Sequence, residues 1–286
     1  MSAFFDIVYQ SVSEYEYPVK EAFFEFLISP CESESQSLEE ERIRTSTGQE
    51  VFTSKNSFGF TLLRIRPSGY FKTFKLDYYA TVQKKELYNT DNLRPSAHEQ
   101  WAEINSTSFY LENFLYLHTS LLTTIPKEHQ DELLLYRRSS DILDFSMELT
   151  THIYQLLTYE KDVTDVKTSA ADVLLLKKGV CQDYTHLFLA MARSNGLACR
   201  YVSGYLDQGT SYTGTAGMHA WAEVYIPGMG WTGFDPTNNC RVTMQYIKVA
   251  HGRDYNDCCP IKGVLMAAGE NKTYHQVQVN QQQQQQ

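Results

Sequence analysis

Three side chains in this 286-residue sequence have the types and settings that thiol chemistry needs. Cys181 follows Gly179-Val180 and opens the segment Cys181–Ser194, whose Leu187, Phe188, Leu189, Ala190 and Met191 predict a helix apolar around much of its circumference. A helix N-terminus offers free N–H groups and the positive end of the dipole, which stabilise a thiolate and can hold a developing oxyanion. His219 opens the strand pattern HAWAEVYI, with His219, Trp221, Glu223 and Tyr225 on one face and Ala220, Ala222, Val224 and Ile226 on the other. A strand-end imidazole can reach the helix terminus and act as its base. Asp235 closes a second strand, Trp231–Asp235, before Pro236. With a turn over Pro227–Gly230 the two strands make a hairpin, and Asp235 lies across from His219 at its open end, placed to accept an imidazole N–H and fix the tautomer. Taken singly, each residue has a plainer reading: a small core thiol, a locally satisfied histidine, an Asp-Pro turn. Together they meet the requirement for nucleophile, base and orienter.

The elements that must position them follow from periodicity. The first ninety residues read as β: Phe5, Ile7 and Tyr9 alternate, as do Thr61, Leu63 and Ile65, and Phe74, Leu76 and Tyr78 after Pro67-Ser68-Gly69. Alternating runs around such a turn predict antiparallel hairpins. Residues 31–49 are polar and acidic and read as a loop or an edge strand. Residues 97–124 read as helical up to Pro126. Between 141 and 157, Ile142, Phe145, Leu149, Ile153 and Leu156 share one helical face. Ser169 and Asp172 form a capping-box pattern, and Gly179 fits a helix stop. Asn195-Gly196 ends the Cys181 helix, residues 197–206 read as a strand, and Gly209–Gly217 as a loop. The division expected is a β domain over 1–90, a helical lead-in and catalytic core over 91–280, and an unstructured poly-Gln tail over 281–286.

Composition sets the surroundings. The formal net charge is −9, from 25 Lys+Arg against 34 Asp+Glu, which argues against nucleic acid or an anionic membrane as partner. No run of apolar residues is long enough to span a bilayer, and the first residues, MSAFFDIVYQ, lack the basic and apolar regions of a secretory signal. The expected location is the cytoplasm, where the six cysteines (31, 181, 199, 240, 258 and 259) are thiols rather than disulfides. Cys240, Cys258 and Cys259 lack zinc-ligand spacing, so no metal is expected.

The blocks Lys178-Gly179-Val180-Cys181-Gln182-Asp183-Tyr184, Arg200-Tyr201-Val202-Ser203-Gly204-Tyr205, His219-Ala220-Trp221-Ala222-Glu223-Val224-Tyr225 and Gly230-Trp231-Thr232-Gly233-Phe234-Asp235-Pro236-Thr237 resemble the transglutaminase-like superfamily. The segment 249–255 and the β-rich N-terminus resemble its bacterial branch, which includes cysteine proteases. The resemblance implies an α+β protein with a papain-like, transglutaminase-type C-terminal core after an antiparallel β domain. It implies Cys181 as nucleophile, His219 as base and acid, Asp235 as orienter, a peptide or carboxamide substrate on a peptide or protein, a thioester intermediate, and no cofactor. Water as acceptor makes the protein a peptidase or amidase, including one of peptide N-glycanase type; an amine makes it a transglutaminase. The rival from another class is a protein-binding scaffold that keeps the fold without catalysis.

Supporting roles are less determined. Animal transglutaminases use an upstream tryptophan at the oxyanion, but Trp101 is too far upstream to match. The backbone N–H of Cys181 is the expected donor, with the Gln182 amide either helping or simply facing solvent. Asp183 either complements the helix dipole or is solvated. Trp221 and Trp231 either wall the cleft or belong to the core. Glu223 either pairs with a cation such as Arg200 or meets solvent, and Arg253 is expected to pair with Asp254.

Overall fold

A computed structural model describes residues 2–48, 50–86, 94–129, 141–207 and 217–282. Six strands come first: β1 (Ser2–Val19), β2 (Glu21–Phe26), β3 (Gln36–Thr45), β4 (Phe52–Lys55), β5 (Thr61–Ile65) and β6 (Phe71–Lys85). Four helices follow: α1 (Ala97–Ile104), α2 (Thr107–Glu112), α3 (Phe114–Leu117) and α4 (Ile142–Leu156). After them come β7 (Thr158–Tyr159), α5 (Ala170–Leu176), β8 (Lys178–Gly179) and α6 (Cys181–Ser194). The remainder is β9 (Cys199–Leu206), β10 (His219–Ile226), β11 (Gly230–Asp235), β12 (Cys240–Arg241), β13 (Tyr246–Gly252), α7 (Tyr255–Cys258), β14 (Ile261–Met266) and β15 (Asn271–Gln281). The fold is thus α+β with mainly antiparallel sheet.

The N-terminal alternation reports burial faithfully but not partners. Phe5, Ile7 and Tyr9 of β1, Leu63 and Ile65 of β5, and Phe74, Leu76 and Tyr78 of β6 are all buried. Yet β5 and β6 do not form a hairpin. β6 lies in a sheet ordered β15-β1-β6-β3, and β5 in a second sheet ordered β14-β2-β5-β4. The sheets meet face to face, where Phe24 of β2 stacks on Phe74 of β6 with centroids 4.6 Å apart. Pro67–Tyr70 therefore carries the chain from one sheet to the other. A period of two says which face is apolar, not which strand is adjacent. β3, the polar segment, is an edge strand as its composition suggests.

The last strands return to the beginning. β15 pairs along β1 from Phe5↔Gln281 to Tyr15↔Asn271, and β14 pairs with β2. Residues 261–280, expected in the second unit, thus complete both N-terminal sheets. Gln281 closes β15 and the Gln282 N–H bonds to the Phe4 carbonyl at 2.8 Å; residues 283–286 lie outside the described residues.

The helical lead-in is broken by its own polar side chains. Asn105 and Asn113 donate back to the carbonyls of Trp101 (2.6 Å) and Phe109 (3.1 Å), and Ser106 caps α2, so 97–124 forms three short helices. Side chains that compete for backbone groups end helices. α4 matches its periodic stretch, and the Ser169/Asp172 capping box starts α5. α5 stops at Leu176 with Lys177 in the left-handed region (φ 56°), not at Gly179. Gly179 instead gives room to a neighbour, because a Cβ there would lie 2.5 Å from the Asp183 carboxylate.

The third sheet, ordered β12-β11-β10-β9-β13, carries α6 against it, with Phe188 stacked on Phe234 at 6.2 Å. Almost every residue of α6 is buried, which is why its sequence is apolar on all sides. Arg193, at its C-terminal end, donates to Tyr116 O, Thr123 Oγ1, Cys199 O and Arg253 O and so ties the helix to its surroundings. The N-terminal sheets dock onto edge strand β13 through Gln36, whose side-chain amide gives to Lys248 O (2.8 Å) and takes from Lys248 N (2.9 Å). The Gly209–Gly217 loop falls outside the described residues apart from Gly217.

Gly204 of β9 pairs with His219 of β10. A Cβ on Gly204 would run into the Ile247 carbonyl and come 2.5 Å from the Trp221 ring. Gly204→Ala is expected to cost about 1–3 kcal/mol by overpacking, read as a lower denaturant midpoint; an unchanged midpoint contradicts this packing.

Candidate active site

The three chemically suggestive residues converge. Cys181 is the first residue of α6, half-buried, with a free thiol. At that position the backbone N–H has no partner within the helix. His219 begins β10, its imidazole hydrogen-bonds Asp235, and the Cys181 thiol is among the neighbours that raise it. Nε2 lies 2.7 Å from Asp235 Oδ2, which leaves Nδ1 for the thiol.

The register differs from the expected one. β10 and β11 pair as Ala222↔Phe234 and Glu223↔Gly233, so Asp235 meets His219 diagonally rather than directly across the hairpin. Diagonal neighbours on one sheet face remain within side-chain reach.

The carboxylate of Asp235 has no exposure to solvent and accepts five hydrogen bonds. Oδ1 takes the backbone N–H groups of Thr237 (2.8 Å) and Asn238 (3.2 Å). Oδ2 takes His219 Nε2, Asn238 Nδ2 (2.7 Å) and the Tyr246 hydroxyl (2.8 Å). The Thr237 bond, two residues on, follows the pattern of an Asx-turn, which the Asp-Pro-Thr-Asn sequence favours. Asn238 and Tyr246 were not identifiable from the sequence as parts of the site. Asn238 carried at least the turn signal; Tyr246 arrives through the three-dimensional placement of β13.

Burial alone raises a carboxyl group, but the His219 charge and the hydrogen bonds from His219, Asn238 and Tyr246 outweigh it and hold Asp235 below its ordinary range. For His219, burial opposes the imidazolium, while the Asp235 charge, their hydrogen bond and the Cys181 contact overcome it and push the group up to about 10. Burial and the adjacent carboxylate push the Tyr246 phenol upward as well, so it remains a donor.

The supporting candidates divide. Asp183 is fully buried, not solvated; its Oδ2 accepts Val180 N–H (2.7 Å) and Thr164 Oγ1 (2.7 Å), closing the first turn of α6, and Gly179 makes room for it. Burial raises its carboxyl group in spite of those two bonds. Gln182 occupies the same first turn and is 9% exposed. Trp221 does not wall an open cleft: it is 1% exposed, packed with Val202, Leu206 and Tyr246 behind the His219 ring, 6.4 Å between centroids. Trp231 pairs with Tyr225, six residues and about 20 Å along the strand from His219. There its ring lies under the Arg200 guanidinium at 4.2 Å. Glu223 pairs with Arg200 as expected (2.6 Å) and also with Lys248 (2.7 Å). Arg253 pairs with Asp257 (3.0 Å), while Asp254 caps α7. Cys240 Sγ lies 3.4 Å from the Tyr246 hydroxyl.

A thiol at a helix N-terminus, an imidazole beside it and a buried carboxylate behind the imidazole are brought together on this fold. Residues 135–236 match the Transglutaminase-like superfamily, a span that includes all three residues. A solved structure, a "Putative Cysteine Protease" from Cytophaga hutchinsonii, superposes with a TM-score of 0.82 at 21% identity, over 100% of this chain and 92% of that one. The whole architecture is therefore shared, N-terminal sheets included. An uncharacterized protein of Mycobacterium tuberculosis is 39% identical over 139 residues, covering 46% of this chain and 44% of that protein. A second, from Mycobacterium leprae, is 43% identical over 117 residues, covering 40% and 41%. The chain thus matches less than half the length of these curated relatives. Among the described residues no helix is long and apolar enough to cross a membrane, which leaves β-barrels unaddressed.

The His219–Asp235 pair makes stability depend on pH with a fixed sign. The folded-state value of His219, about 10, exceeds the unfolded value near 6.5, so its contribution is complete below about pH 6.5 and is lost as pH rises through 10. The depressed Asp235 contributes above its unfolded value, about 4, and loses this as pH falls below it. The difference in unfolding free energy between wild type and His219→Gln is expected to be largest at pH 4–6.5 and to shrink toward pH 10. Denaturant titrations that give the same difference at pH 5 and pH 10 contradict the pairing.

Proposed function

We propose that the protein performs thiol-dependent acyl transfer on peptide or carboxamide bonds, with hydrolysis the main outcome and transfer to an amine the alternative. The observation that supports this most is the buried Asp235 carboxylate holding His219 by Nε2, which leaves Nδ1 free to serve the neighbouring Cys181. In this reading Cys181 passes its proton to His219 Nδ1, its sulfur attacks the carbonyl carbon, the C=O π pair moves to oxygen, and the tetrahedral intermediate collapses to a thioester as the C–N bond breaks. The departing amine or ammonia takes its proton from His219 Nδ1. Water or an amine, deprotonated by the same nitrogen, then attacks the thioester and regenerates the thiol. Asp235 keeps its charge and stabilises the imidazolium throughout. Substrates are peptides or proteins, and the site of action is the cytoplasm, a location that the six free thiols favour.

Alkylation tests the nucleophile. Near neutral pH, iodoacetamide is expected to label Cys181 before Cys31, whose thiol is pushed up by burial, and His219→Ala is expected to slow the Cys181 reaction. Equal rates at Cys181 and Cys31 would overturn the proposal. A peptide library incubated with and without a primary amine, read by mass spectrometry, then separates cleavage, deamidation and amine incorporation by mass change. Cys181→Ala is expected to lower whichever product forms by roughly 10⁴-fold. No product, together with stable capture of a partner protein, would favour the scaffold instead.

A further inference from the structure

Three side-chain donors meet on one oxygen of the buried carboxylate. Asp235 Oδ2 accepts His219 Nε2 (2.7 Å), Asn238 Nδ2 (2.7 Å) and the Tyr246 hydroxyl (2.8 Å), while Oδ1 accepts the backbone N–H groups of Thr237 and Asn238. The Tyr246 ring packs edge-on against Trp221, 5.3 Å between centroids, and lies 6.1 Å from the His219 ring. Its backbone is held by pairing with Leu206 of β9 and by an N–H bond to Thr243 O (3.2 Å). A phenylalanine would fill the same space and keep both ring contacts, so packing does not account for the hydroxyl. Charge satisfaction does not account for it alone, because the carboxylate would still accept from His219, Thr237 and Asn238. The hydroxyl adds a charge-assisted bond on the very oxygen that faces the imidazole.

We propose that Tyr246 is a positioning residue for the acid–base steps, whose hydrogen bond to Asp235 Oδ2 moderates the hold of that oxygen on the His219 imidazolium. The inference rests on the thiol acyl-transfer reading. A donor draws charge from the oxygen that accepts it and so weakens its attraction for a neighbouring cation. In one turnover His219 takes the Cys181 proton, gives it to the departing amine, and takes another from the water that attacks the thioester. Too strong a hold on the imidazolium favours the first transfer and hinders the other two. Tyr246 keeps its own proton throughout, because burial and the Asp235 charge push its phenol upward. The titratable groups facing this network come from four elements. Cys181 of α6 and Asp235 of β11 flank the imidazole, and Cys240 of β12 lies 3.4 Å from the Tyr246 hydroxyl. Tyr159 and Tyr201 neighbour the Cys181 thiol, and burial pushes both phenols up, so they stay neutral.

The test follows Cys181 in the full chain through two reactions. Iodoacetamide labelling against pH reports formation of the thiolate–imidazolium pair. Loss of the acetyl group placed on Cys181 by p-nitrophenyl acetate, read by intact mass, reports His219 acting as a base. Tyr246→Phe is expected to move the acidic limb of labelling down by about half a pH unit and to slow deacetylation near neutral pH by about threefold. Replacing Tyr246 with 3,5-difluorotyrosine, a stronger donor of the same shape, is expected to move the limb up and to speed deacetylation. The second variant decides the matter if Tyr246→Phe fails to fold. A limb that stays in place in both variants, or labelling and deacetylation slowed together, overturns the role of Tyr246. Wild-type protein that neither labels nor acetylates at Cys181 overturns the acyl-transfer reading itself.

Discussion

The arrangement rests on one buried carboxylate. Taking an ionised carboxyl group out of water is among the more costly things a fold can do unless charge and hydrogen bonds replace the lost solvent. Asp235 receives five donors, and they come from three places: the strand-end histidine of β10, the turn that follows β11, and the tyrosine that opens β13. Each donor also fixes something else. The turn donors hold the carboxylate's rotamer, Tyr246 donates to it while its own ring packs on Trp221 at 5.3 Å between centroids, and the carboxylate in turn sets which imidazole nitrogen is left for Cys181. Losing any one donor leaves a buried charge less well satisfied, so the histidine's orientation is tied to the packing of three strands.

The rest of the molecule supplies rigidity to that point. α6 presents Cys181 from a helix buried on nearly every side, with Asp183 closing its first turn and Arg193 anchoring its last. Gly204 lets Trp221 and β13 come close enough for Tyr246 to reach Asp235. The N-terminal sheets contribute at the far edge of the third sheet, where Gln36 pairs with Lys248 as a strand would and covers the exposed ladder of β13. Beside this contact Glu223 sits between Arg200 and Lys248. Burial would raise its carboxyl group, but the two cations bring it down to about 2. β14 and β15 then bind the end of the chain to its beginning.

Local chemistry was legible in the sequence and global placement was not. The α6 start, both hairpin strands and the capping box of α5 follow from patterns within about fifteen residues. The Cys181, His219 and Asp235 set was recoverable because each residue sits at an element end, where side chains converge. Partnering failed where only alternation was available: β5 and β6 look like a hairpin because both have an apolar face, yet each pairs elsewhere. The return of β15 to β1 spans most of the chain and leaves no local trace. Asn238 and Tyr246 were missed for different reasons. Asn238 looks like any turn residue after Asp-Pro, and Tyr246 looks like any strand residue until β13 is folded beside β10 and β9. For Trp221 the core reading holds, since the ring is 1% exposed; an aromatic near a candidate histidine in sequence is not thereby in the cleft.

Nitrogen-15 NMR of the His219 ring, followed from pH 5 to pH 11, addresses the central claim directly. The account predicts that Nε2 keeps its proton and its hydrogen bond to Asp235 throughout neutral pH, that the ring titrates near pH 10, and that Asp235→Asn moves the titration down toward the ordinary histidine value. A ring that titrates near 6.5 in the wild-type protein, or that loses the Nε2 proton first, contradicts it.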